Sequence, residues 1–143
     1  MKLKVTFLGV ALVVTGACGG GEEAEIDELI EEIVSIRAQA VEEWERVAEI
    51  VRQDPRASSE AIRRARIHDW TTRAEQAAQN AEREEETLRD AAARDAWNEL
   101  YLLHLAQMTP LEFLQDGKRR AEEGLAAAVE RRRAIEEYRA PAR

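Results

Sequence analysis

One cysteine, Cys18, stands in the 143 residues, so no disulfide closes within the chain and no paired thiolates are present to bind metal or run redox chemistry. Three prolines and seven glycines leave little punctuation, and seven aromatic residues are few for a sheet-rich protein. Lysine is scarce, with 3 against 18 arginines, and two of the three lie in the first four residues. Only two histidines occur, His68 and His104. His68 has Ala65 and His104 has Tyr101 three residues before it, so the Glu-x-x-His pairs of di-iron bundles are missing. No CxxCH, Gly-rich phosphate loop, HExxH or GxSxG occurs. A net charge of -8 argues against nucleic acid as a partner.

What is present begins at the N-terminus. Lys2 and Lys4 form a short positive start, and residues 5–17 then run thirteen positions without a charge. A spanning helix needs about 20 apolar residues, so this stretch is too short to remain as one and has the layout of a cleavable export signal. It ends Thr15-Gly16-Ala17-Cys18. Two small residues before the sole cysteine resemble the bacterial lipobox, although Thr15 stands where that motif usually carries Leu. The resemblance implies cleavage before Cys18, a diacylglycerol thioether on its sulfur, and acylation of its new amino group. The mature chain would then be a lipid-anchored protein of the cell envelope. Gly19, rather than Asp, after the cysteine implies the outer membrane in a diderm source. Several acyl chains on one residue give stable anchoring where a single chain does not. Residues 18–23, with Gly19-Gly20-Gly21 and Glu22-Glu23, read as a flexible tether. Loss of Lys2 and Lys4 takes the net charge to about -10, which disfavours anionic head groups as well.

The rest, residues 24–140, reads as one all-α domain with 35% charged residues across the chain. Asp54-Pro55 marks one break, with Ser58 or Ser59 as alternative caps, and Thr109-Pro110 with Glu112 marks a second in capping-box form. Ala140-Pro141 ends the last segment. Three helices follow, near 24–53, 57–107 and 110–139. Ile26, Ile30, Ile33, Ala40, Trp44, Val47 and Val51 recur at steps of three and four, interrupted by Arg37. Leu111, Leu114, Ala121, Leu125, Ala128 and Ile135 do the same, interrupted by Lys118 and Arg132. Both are coiled-coil-like stripes. The middle stripe, Ile67, Trp70, Ala74, Ala77, Ala81, Leu88 and Ala91, drifts to Ala96, Leu100 and Leu103.

An antiparallel, elongated arrangement of helical hairpins is expected. An unbroken middle helix of roughly 75 Å would carry the outer two, about 45 Å each, on its opposite ends. The alternative is a compact four-helix bundle broken at Thr72 or at Gln79-Asn80. Charge suggests the register: Glu45 and Glu49 opposite Arg63 to Arg66, and Glu84-Glu85-Glu86 opposite Arg131-Arg132-Arg133. Glu42/Arg46, Glu60/Arg64, Glu85/Arg89 and Asp90/Arg94 have the spacing of pairs within one helix. Helical spacing puts Trp97, Tyr101, His104 and Met108 near one face, at a core or boundary position; a haem or copper reading would use His104 and Met108 as ligands. Trp44 and Trp70 should meet across the first hairpin near Arg66, and Trp97 should face Ala121 with Gly117 or Gly124. The expectation is a non-enzymatic, membrane-tethered interaction module, acting through helix faces on itself or on another envelope protein. A bundle that carries haem, metal or lipid is the alternative.

Overall fold

A computed structural model describes residues 20–53 and 60–139, without the side chains of 60–67, 101, 138 and 139. Cys18, Asp54-Pro55 and Ser58-Ser59 fall outside it, as do the side chains of Glu60 and Arg63 to Ile67. The fold is all-α: α1 (Gly21–Gln53), α2 (Glu60–Arg94), a 3-10 turn (Trp97–Glu99), α3 (Tyr101–Ala106) and α4 (Pro110–Arg139). No strand occurs among the described residues.

The first helix starts earlier than its apolar stripe. Ala24 N–H donates to the Gly20 carbonyl at 3.2 Å, so Glu22 and Glu23, expected in the tether, form an acidic first turn. Carboxylates there face the positive end of the helix dipole, and Arg52 in the last turn faces the negative end.

The spine of the bundle is α1, not the middle segment. Leu29, Ile30, Ile33, Ala40, Val47, Ala48 and Val51 are buried along it, a wider stripe than the steps of three and four alone define. That width serves two neighbours at once, whereas the alanine-rich stripe of α2 serves one. The Glu31–Arg89 and Arg37–Glu84 pairs set α1 and α2 antiparallel. The Glu32–Lys118 and Glu43–Arg132 pairs run α4 parallel to α1. The molecule is therefore an up-down-up bundle of three long helices. At 1.5 Å per residue each spans roughly 45–52 Å, in place of the expected 75 Å rod.

This register corrects the charge reading. Glu84 faces Arg37 of α1 rather than the arginine run of α4, and Arg132 pairs with Glu43. Within helices, Arg89–Glu85 and Arg94–Asp90 form as expected, while Arg46 takes Glu43 instead of Glu42. The charged interruptions of the stripes have one explanation: Arg37, Lys118 and Arg132 each reach an acid on a neighbouring helix.

The middle segment is continuous through Thr72 and Gln79-Asn80, then breaks where no glycine or proline announces it. Asp95 and Gln107 both adopt positive φ, 50° in each case. Asp95 N–H donates to Ala92 O and Ala96 N–H to Ala91 O, at 3.2 and 2.9 Å; Gln107 and Met108 repeat the pattern onto His104 O and Leu103 O. Each is a Schellman ending, which satisfies carbonyls the helix would leave open. Between them Leu100 is extended, so α3 leaves at a new angle. The capping box at Thr109 forms in both directions: Glu112 N–H donates to Thr109 Oγ1 at 3.2 Å, and Thr109 N–H to Glu112 Oε2 at 2.9 Å.

Candidate functional site

The 95–109 connection closes the end of the bundle at which α1 begins. Trp97 and Leu103 turn inward and join Leu29, Ile30, Ile33, Leu88, Ala91 and Leu114 in one buried cluster, with Ile26, Leu100, Met108 and Phe113 packed against it. The inward residues hold the connection against the first turns of α1, and that fixes what the opposite face of α3 shows. Leu102 is 59% exposed and Leu105 60%, the large apolar side chains that the fold leaves in water among the described residues. They lie three positions apart on one face of α3, clear of the core that Leu103 enters.

Leu102 also edges a groove of about 280 Å³ between α2 and α4. Its floor is Ile33, Leu88, Leu100, Phe113 and Leu114, and its rim carries Arg37, Arg83, Glu84, Asp116 and Arg120. Two rim carboxylates are already engaged. Arg37 Nε donates to Glu84 at 2.7 Å, and Arg119 and Arg120 each reach Asp116 at 2.6 Å. The Arg119 hydrogen bond holds the Asp116 carboxyl below the usual aspartate range, against partial desolvation and with help from the Arg120 charge. Exposed leucines beside an apolar-floored groove with a charged rim form a contact surface. A larger hollow of about 620 Å³ between α1 and α2 is rimmed by charge, with Glu42, Glu45, Glu49, Glu75, Arg46 and Arg52 around Ala48, Ala74 and Ala78.

The residues singled out in the sequence scatter. His68 and His104 are both exposed, so His104 holds neither a core nor a boundary position. Trp97 is buried and Met108 half-buried, while the Tyr101 side chain lies outside the described residues. The expected shared face of Trp97, His104 and Met108 is lost because a 3-10 turn and a left-handed Gln107 replace continuous helical spacing. Trp97 does not depend on the α4 glycines as its complement: at Gly117 an added Cβ would meet Ile33, and at Gly124 Arg37. Trp44 and Trp70 do stack, with ring centroids 5.6 Å apart and planes at 27°. Among the described residues, Arg73 and Arg131 lie over Trp70, at 5.3 and 5.1 Å; the Arg66 side chain, expected nearby, lies outside them. This junction ties all three long helices together at the end opposite Trp97.

Leu102 and Leu105 were missed because the sequence assigns them to a long helix with a drifting stripe; only the two turns that lift α3 away expose them. Set against protein-family models, curated proteins and solved structures, the chain has no significant match in any of the three comparisons.

Proposed function

We propose that this chain is a lipid-anchored envelope protein whose helical bundle is a non-enzymatic interaction module. The anchoring part rests on Gly16-Ala17-Cys18 after a short uncharged segment. The interaction part is carried by one structural observation, the exposure of Leu102 and Leu105 beside the α2–α4 groove. Long helices held by cross-helix ion pairs suit a module that presents a rigid face.

The test has two arms. Mass spectrometry of the chain isolated from bacterial membranes should find residues 1–17 removed and Cys18 carrying thioether-linked diacylglycerol, and Cys18→Ser should move the chain to the soluble fraction. A Cys18→Ser chain that stays with membranes refutes the anchor. Crosslinking of the intact chain in its membrane, with and without Leu102→Ser/Leu105→Ser, tests the module: adducts, to itself or to another envelope protein, should be lost in the double variant. Adducts that persist unchanged place the contact elsewhere.

The groove supports a second reading, a bundle that carries an amphiphile, because its floor is apolar and its rim charged. Extraction of the purified chain with organic solvent and mass analysis should then yield a stoichiometric lipid. A Soret band would instead favour haem.

A further inference from the structure

The α1 helix begins at Gly21, three residues after Cys18. Three residues span at most about 11 Å of chain, so an anchor at Cys18 keeps this end of the bundle against the bilayer. The same end carries the 95–109 connection, seated on Ile26, Leu29 and Ile30 through Trp97 and Leu103. Leu102 edges a groove with Ile33 and Leu88, about three helical turns in from Gly21, so a bundle tilted toward this flank brings the two leucines to the surface that the anchor would occupy. We propose that α3 is a second membrane contact, in which Leu102 and Leu105 enter the interfacial layer of the bilayer that holds Cys18. This rests on the anchoring reading above and takes the bilayer, in place of a protein partner, as what covers these two leucines; adducts lost in Leu102→Ser/Leu105→Ser would count against it.

The charges around the patch specify the lipid. Glu22, Glu23, Glu25, Asp27 and Glu28 open α1, Asp95 precedes the 3-10 turn and Glu99 ends it, all of them exposed. Most Lys and Arg near this end are engaged: Arg89 with Glu85 and Glu31, Arg94 with Asp90, Lys118 with Glu32, Arg37 with Glu84 and Arg120 with Asp116, which leaves Arg83 on the groove rim against seven exposed carboxylates. An acidic rim is repelled by anionic head groups, so the occupant is a zwitterionic glycerophospholipid surface. Two leucines bind a bilayer only weakly by themselves. Tethering raises their effective concentration at the surface, and the contact then sets the attitude of the bundle instead of the affinity.

The test uses the full chain produced in a bacterium, purified from its membranes and returned to phosphatidylcholine vesicles. With Cys18 acylated, Ala106→Cys supplies the one free thiol for a nitroxide beside the leucines, and Gln79→Cys supplies one on the exposed middle of α2. At 106 the collision rate with oxygen should rise, and that with a water-soluble nickel complex should fall several-fold, relative to 79. Adding Leu102→Ser/Leu105→Ser should return 106 to the values at 79; both leucines are exposed, so the bundle still folds. A floating, acylated chain with a water-accessible label at 106 overturns the membrane contact and leaves the anchor standing. A fall in both collision rates at 106 shows protein covering the patch, a second copy for instance, and also overturns it. A chain that carries no lipid and does not float removes the anchor, and this proposal with it.

Discussion

At the scale of single residues, charges inside apolar stripes are register marks. Glu43 is 14% exposed and is reached by Arg132 from α4 and by Arg46 from its own helix. Arg132 is 21% exposed and Arg46 60%, so the two partners are not equivalent. Arg132→Ala should lower the melting temperature more than Arg46→Ala, and Glu43→Ala should largely erase that difference. Equal losses from the two arginines would mean the cross-helix pair adds nothing. Lys118 and Asp116 give opposite signs with pH. Glu32 accepts a hydrogen bond from Lys118 and raises its pKa, so that contribution is complete at neutral pH and fades only as strong base is approached. Asp116 is lowered, chiefly by Arg119, so its contribution is complete above the ordinary aspartate range and disappears as pH falls through its folded value. A carbon-detected titration should place the Asp116 midpoint below the ordinary range and return it upward in Arg119→Ala.

At the scale of elements, the two helix endings are the most informative feature. Asp95 and Gln107 hold a left-handed conformation that costs a non-glycine residue about 1–2 kcal/mol. Gln107→Gly should therefore stabilise the bundle by roughly 0.5–1 kcal/mol in urea unfolding, less than the full relief because glycine loosens the unfolded chain. In the middle of α4 the logic reverses. An added Cβ at Gly124 meets only Arg37 Nη1, at 3.3 Å, the guanidinium nitrogen that does not bond Glu84 and can yield by a few tenths of an ångström, so Gly124→Ala should gain about 0.5–1 kcal/mol. Ile33→Ala, at 1% exposure, should cost about 2–5 kcal/mol.

These positions also show what could be read in advance. The α4 start was legible because Thr109, Pro110 and Glu112 act locally, each within one turn. The stripe of α1 was legible because its period survives in the fold. The turn at Asp95 was not, because a Schellman ending needs no glycine when the core rewards it, and Ala91, Trp97 and Leu103 come together only in three dimensions. The exposed leucines went unseen for the same reason. Arg132 was recognised as an interruption, but its partner was sought on α2, since a hairpin places neighbours in sequence next to each other in space.

At the scale of the whole molecule, the corrected register changes the dimensions. Scattering from residues 20–143 in solution should fit a rod shorter than the roughly 75 Å expected of an unbroken middle helix. A longer maximum dimension in a monomer would refute the turn at Asp95.

The parallel course of α1 and α4 carries one more consequence. With an odd number of long helices, the path enters at one pole and leaves at the other. The point where α4 ends, Arg139, stands a helix length of roughly 45 Å from Gly21. Held at its first pole by a lipid, such a bundle is a standoff: whatever is fused or docked at the second pole is carried clear of the lipid head groups. A hairpin or four-helix arrangement would have brought it back to them.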